Sequence, residues 1–286
     1  MVPEVALERP EKAPKNSAMR LRIATWNVNS VRLRAEQAAR FVAEQAPDVL
    51  CLQEIKCQTG EFPVEAFESM GLPHLKIAGQ KGWHGVAIAS RLPIEDAPPL
   101  DLCRNGHARC VSGIVAGVEI QNYYIPAGGD LPDRDLNEKF DHKLDFYERL
   151  TRETAKRHSK DPLVITGDLN VAPGEFDVWS HRYMSKVVSH TPVEVEAFQA
   201  LMDSLGLIDI VREATPEPEK LASWWSYRAA DFRQSNRGLR LDHLLLSPGL
   251  RDAAWRTGAP AARIHEDVRA WERPSDHAPV SVDLDL

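Results

Sequence analysis

The sequence predicts an α/β domain on three observations. Short apolar runs rich in β-branched residues recur along the chain, stretches with a 3.6-residue apolar period lie between them, and several of the runs end abruptly in polar residues. The two patterns interleave from residue 20 onward with no linker, internal repeat or low-complexity break, which predicts one domain over residues 19–286 of the 286-residue chain. Residues 1–18, rich in Pro, Glu and Lys without an apolar period, read as a flexible N-terminal extension.

LRIATWNV (21–28) is a strand that ends in polar residues. Residues 30–46 then place Val31, Ala35, Ala38, Ala39, Val42 and Ala46 at helical spacing, and Pro47 and Asp48 stop that helix. DVLCLQE (48–54) has the apolar character of a strand inside a sheet and closes on a carboxylate. Further strands are expected at 74–79, at 85–90 and across 110–125, the last a hairpin turning near Ala116 and Gly117. A helix over about 135–158 puts Phe140, Leu144, Tyr147 and Leu150 on or near one face. PLVITGDLNV (162–171) is a buried strand ending in polar residues, a helix lies near 194–205, and strands return at 241–247, 252–257 and 279–286.

Composition narrows the function classes. Thirty-five Lys+Arg against 42 Asp+Glu leave a net charge of −7, which disfavours non-specific coating of nucleic acid but leaves room for a local basic face. No apolar run approaches the ~20 residues that span a bilayer, and the first 18 residues hold no apolar stretch resembling a signal peptide, so a cytoplasmic protein that avoids membranes is expected. Cys51, Cys57, Cys103 and Cys110 form no CxxC pair and read as reduced thiols. The chain has no GxxxxGK[ST], GxGxxG, HExxH or GxSxG, so nucleotide triphosphate hydrolysis, dinucleotide redox chemistry and serine hydrolysis lose their usual signatures.

Polar residues gather at four strand ends: Asn27 and Asn29 in TWNVN, Glu54 in LQE, Asp168 and Asn170 in TGDLN, and Asp276 with His277 in PSDHAP. Taken singly, each reads as a turn or cap residue. As a set they supply what phosphodiester cleavage needs at the ends of sheet strands, where α/β ligand sites form. Glu54 with the Asn27 amide makes a hard oxygen site that suits Mg²⁺, with Mn²⁺ as the alternative. A carboxylate such as Asp168 can orient and deprotonate water, and His277 held by a carboxylate can donate to a phosphate oxygen. SWWSYRAADFRQSNRGLRLDH (223–243) adds a basic, aromatic edge: between Trp224 and Arg240 four arginines (228, 233, 237, 240) oppose one acid, Asp231. Arginine meets phosphate and aromatic faces meet bases or bare sugars, although a solvated loop with core tryptophans fits the same composition.

TWNVNSVR, LQE, YYIP, GDLN, SWWSYR, NRGLRLDHLLLS and PSDHAP, in this order, resemble the exonuclease III type of AP endonucleases, within the endonuclease/exonuclease/phosphatase superfamily. The resemblance implies a four-layer α/β sandwich, two mixed β-sheets face to face with helices outside, and one active site at its end. It implies Glu54, with Asn27 and Asn29 near it, as the metal site. Asp168 is implied as the residue that handles the attacking water, Asn170 and His277 as phosphate binders, Asp242 and Asp276 as carboxylates serving that histidine, and Tyr124 as a group beside the scissile phosphate. Trp225 and Leu239 fall where the family lines a pocket for a baseless deoxyribose, and Arg109, Arg228 and Arg237 fall among DNA contacts. The implied activity is incision of duplex DNA 5′ to abasic sites with 3′→5′ exonuclease and 3′-end trimming, by a monomer associated with the nucleoid. The chain departs from many relatives after Tyr-x-Pro, where Ala127 replaces a hydrogen-bonding side chain. Two rivals share some of these motifs: a superfamily member acting on phosphoinositides, lipids or RNA tails, which has no reason to carry the SWWSYR to NRGLRLD stretch, and a non-catalytic nucleic-acid-binding regulator on the same scaffold, which would lose catalytic carboxylates that this chain retains.

Overall fold

The computed structural model describes residues 19–228, 231–256 and 259–286, so the 1–18 extension lies outside the described residues. Six strands form one mixed sheet, β12-β13-β1-β2-β4-β3 in spatial order, and five form the other, β5-β6-β7-β9-β8. In chain order the strands are β1 (Arg20–Asn27), β2 (Val49–Gln53), β3 (His74–Ala78), β4 (Val86–Ser90), β5 (Cys110–Val115), β6 (Val118–Tyr124), β7 (Leu163–Asp168), β8 (Ile208–Asp209) and β9 (Asp242–Leu246). A two-residue pair, β10 (Trp255–Arg256) and β11 (Ala259–Pro260), precedes β12 (Ala262–Ile264) and β13 (Val280–Asp285). The helices are α1 (Ala35–Gln45), α2 (Val64–Ser69), α3 (Glu138–Thr154), α4 (His181–Met184), α5 (Pro192–Leu205), α6 (Ile210–Ala214) and α7 (Phe232–Ser235).

Each sheet has one parallel pair at its centre, β1 with β2 and β6 with β7, and antiparallel neighbours on either side. Strand alternation then sorts the side chains. Leu21, Ile23, Val49, Cys51, Ile120, Val164, Leu244, Val280 and Val282 meet in the core between the sheets. Ala24, Trp26, Leu50 and Leu52 turn outward against Phe41 and Val42 of α1, and Ile165 and Leu245 turn outward against Phe146 of α3 and Leu201 of α5. This is the expected α/β sandwich.

The inward faces change character toward one end: Ile23, Thr25, Asn27 on β1; Cys51, Gln53 on β2; Ile120, Asn122, Tyr124 on β6; Val164, Thr166, Asp168 on β7. A floor of buried hydrogen bonds marks the boundary. The Gln53 amide donates to Thr25 Oγ1 (2.9 Å) and, across the sheets, to Asn122 Oδ1 (2.6 Å), and Asn122 donates to the carbonyls of Leu52 and Ala87 (3.0 and 2.9 Å). A polar layer of this kind is tolerated in a core because the amide N–H groups of Gln53 and Asn122 find acceptors, although Gln53 Oε1 is buried without one.

Element boundaries depart from the sequence reading where local chemistry intervenes. The first helix begins at Ala35, behind a non-helical Arg34 at φ −120°, and Asn29 and Ser30 take positive φ (46° and 93°), which a helix cannot include. The long helix α3 begins at Glu138, capped by the Asn137 side chain on Lys139 N, and α5 begins at Pro192 behind a Thr191/Glu194 capping box. Of the strand expected at 252–257, Asp252–Ala254 is a 3₁₀ turn, Trp255–Arg256 is extended, and Thr257 lies outside the described residues.

Candidate active site

The polar strand ends meet at one end of the sandwich. Asn27, at the end of β1, donates through Nδ2 to Glu54 Oε1 (3.0 Å) and to Asp168 Oδ2 (2.9 Å), and so joins the two sheets. Glu54 follows β2 with φ +49°, and Lys56 Nζ lies 2.8 Å from its other oxygen. Asp168 stands opposite Asp242 in the β7/β9 ladder. Asp242 Oδ2 lies 2.8 Å from His277 Nδ1, and His277 Nε2 lies 3.7 Å from Asp168 Oδ2. Burial alone would push the imidazole down, but Asp242 and Asp168 hold it up, to about 10. Burial raises the Asp168 carboxyl, to about 7, against the pull of the His277 charge. The site therefore pairs an imidazolium aimed by a carboxylate with a second carboxyl held close to neutrality.

Glu54, Asp168 and His277 line a cleft of about 840 Å³. Trp224, Leu239, Leu241, Met184 and Val188 form an apolar wall, while Arg228 and Arg237 lie at the same cleft. The structure brings Glu54, Asp168, Asn170, Tyr124, Asp276, His277, Leu239, Arg228 and Arg237 together there. Asn170 takes φ +56° and donates to the Ile125 carbonyl (2.9 Å). The half-buried Tyr124 phenol is pushed well up, by desolvation and then by Glu54 and Asp168, and stays protonated.

Five positions differ from the reading of the sequence. Trp225 lies away from the cleft, packed on Phe232 (5.1 Å, 64°); its neighbour Trp224 lines the cleft and donates from Nε1 to Asp276 Oδ2 (3.0 Å). Trp224 bridges Leu239 and His277, and alternation sends the next side chain the other way. Asn29 faces Asp276 (3.0 Å) and Lys56 (2.5 Å) instead of the Glu54–Asp168 pair. Arg109 is buried behind Tyr124. Of the four arginines in the basic stretch, Arg240 is buried on Asp177 and Asp209 (2.7 Å each) and Arg233 pairs with Asp267 (2.6 Å), which leaves Arg228 and Arg237 at the cleft. Motif reading did not single out Lys56 or the fully buried Lys143, which pairs with Glu194 and donates to the Asn170 carbonyl (2.7 Å).

The donor set fits a divalent cation. Among the described residues, carboxylate oxygens of Asp168 and Asp242 lie within 4.8 Å of each other beside His277, whose imidazolium is a donor and not a ligand, and Asp242 Oδ1 is buried without a hydrogen-bond partner. Glu54 adds a third carboxylate, while Asn27 turns its amide nitrogen toward Glu54 and Asp168 and organises them. A hard cation on carboxylate oxygens stabilises charge on phosphate and leaving oxygen.

A two-sheet α/β sandwich with carboxylates, an imidazolium and a tyrosine facing an apolar cleft defines a phosphodiester hydrolase. Residues 24–277 match the Endonuclease/Exonuclease/phosphatase family, and the chain belongs to it. It is 34% identical to exodeoxyribonuclease III of Haemophilus influenzae, over 91% of this chain and 98% of that protein. Two solved structures share the fold. A 3′ phosphatase from Neisseria bound to a product DNA hairpin matches with TM-score 0.83 and 36% identity, and an AP endonuclease from Archaeoglobus fulgidus with TM-score 0.85 and 31%. Each match covers 93% of this chain and 100% of the other. The chain is thus an exonuclease III-like nuclease.

Proposed function

We propose that this nuclease incises duplex DNA 5′ to abasic sites and trims blocked 3′ ends, with Mg²⁺ as its cation and Mn²⁺ able to substitute, acting as a monomer on nucleoid DNA. The observation that carries the reading is the cleft itself. The carboxyl of Asp168 and the imidazolium of His277 stand beside an apolar wall of Trp224, Leu239 and Leu241, which suits a sugar without a base. Glu54 would hold the cation, whose contribution is to stabilise developing negative charge.

The residues of this chain divide the remaining work. Asp168 accepts the proton of the attacking water, and its burial favours the protonated form that results. His277 donates from Nε2 to a non-bridging phosphate oxygen while Asp242 holds Nδ1. The Tyr124 hydroxyl and the Asn170 amide add neutral donors to the same phosphate. Arg228 and Arg237 meet the strand's phosphates.

An end-labelled duplex carrying one tetrahydrofuran abasic analogue, with a 3′-phosphate duplex beside it, tests this. Cleavage 5′ to the analogue in Mg²⁺, none in EDTA, and a loss of about 10³-fold or more in Asp168→Asn and Glu54→Ala with folding retained are the expected outcomes. Near-wild-type cutting by either variant overturns the assignments.

A further inference from the structure

We propose that Arg109 is a positioning residue for Tyr124, holding the phenol against the carboxylates of the site instead of gripping the DNA backbone. The inference rests on the role given to Tyr124 above. Arg109 is only 6% exposed, far too little for a phosphate clamp, which must present its guanidinium N–H groups to the strand. Its Nη1 already donates to the Tyr124 carbonyl (3.0 Å), and its Cζ stands 4.8 Å from the centre of the Tyr124 ring. The backbone closes the loop: Tyr124 N donates to the Arg109 carbonyl (2.8 Å), beside the Cys110–Tyr123 pair of the β5/β6 ladder. One arginine therefore fixes both the main chain and the ring face of the tyrosine, a geometry in which planar stacking and fork-like donation act together.

The surroundings keep that guanidinium where it is. His84 stacks on His107 (centroids 4.4 Å, 25°), and the His84 ring centre is 6.2 Å from that of Tyr124. Burial, then the Arg109 charge, lowers both imidazoles, so at neutral pH they carry no charge that would repel the guanidinium. Burial lowers the guanidinium's pKa, and the charges of Tyr124, Cys103, Asp168 and Glu54 act against that, so Arg109 remains a cation. Arg109 Nε is buried without a hydrogen-bond partner, a loss in hydrogen bonding that the stacked geometry offsets.

A double-mutant cycle on the abasic duplex decides the matter. Arg109→Met and Tyr124→Phe should each slow single-turnover cleavage by about tenfold or more, roughly one hydrogen bond's contribution, and together no more than Tyr124→Phe alone. The slope of log Kd against log salt should stay at the wild-type value in Arg109→Met. Arg109→Lys, which keeps the charge but lacks the planar fork, should also slow cleavage with the slope unchanged, and it serves in the same cycle should the methionine variant not fold. A slope smaller by about 0.9, the signature of one lost phosphate contact, with the rate retained, overturns the proposal. Multiplicative effects of the two substitutions, or a lysine variant as fast as wild type, overturn it as well. A wild type inactive on DNA would refute the proposed function alone. The Arg109 assignment would then stand or fall on the Tyr124 resonances of ring-¹³C-tyrosine-labelled protein, expected to shift in Arg109→Met and unchanged if the two side chains are uncoupled.

Discussion

His265 lies edge-on to Phe41 at 5.1 Å, with Nε2 2.8 Å from Ser281 Oγ, remote from the cleft in the core around β13. Burial, reinforced by Arg263 and Arg22, pushes its imidazole down to about 3. The unfolded chain therefore binds a proton at this residue that the folded chain refuses, and stability falls as pH drops below about 6.5, at up to about 1.4 kcal/mol per pH unit, until the folded-state value is reached. Urea unfolding at pH 7, 5.5 and 4.5 should show a shallower loss in His265→Gln than in wild type; equal pH slopes would sink this account. Other single residues divide into those motif reading could find and those it could not. GDLN and SDHAP were legible because an acid and an amide or imidazole at a strand end serve no packing purpose. Arg240 was not: beside Arg237 it reads as one more surface cation, and only the fold brings Asp177 and Asp209 to it from elsewhere in the chain. The choice of Trp224 over Trp225 was recoverable in principle, since adjacent residues of an extended segment face opposite ways.

Strands of five to eight residues with a buried face were legible in the sequence, as were the three helices long enough to show a period: α1, α3 and α5. The four- to six-residue helices were not, because one turn has no period to read. One strand carries a constraint that the catalytic end depends on. Gly167 in β7 has φ +128°, and a Cβ there would meet the Tyr123 carbonyl oxygen at 2.0 Å, so the parallel β6/β7 pair closes only around a glycine. Gly167→Ala should cost about 3 kcal/mol or more, read as a fall in the denaturant midpoint, and should lower cleavage in the fraction that folds, because Asp168 is the next residue. A variant of unchanged stability and rate would show that the strand can shift to admit the methyl group.

At the scale of the whole molecule, a chain of net charge −7 must approach a polyanion. Arg240 and Arg233 are committed to internal and surface acids, so under the proposed function the attraction at the cleft falls to Arg228 and Arg237, the latter braced over the Trp179 ring at 4.9 Å. Removing either by substitution to Ala should lower the salt slope of binding to a non-cleavable duplex by about one while leaving the single-turnover rate at saturation close to wild type. An unaltered slope in both variants would place the backbone contacts on other residues.

The seam between the sheets has a last consequence. Chemistry is assigned to groups at the tips of central strands, whereas the cleft's outer walls come from connecting segments such as 179–189, 224–228 and 237–239. Selection acting on those borders can alter what the protein cuts and leave untouched how it cuts, which lets one scaffold diversify its menu without rebuilding its blade.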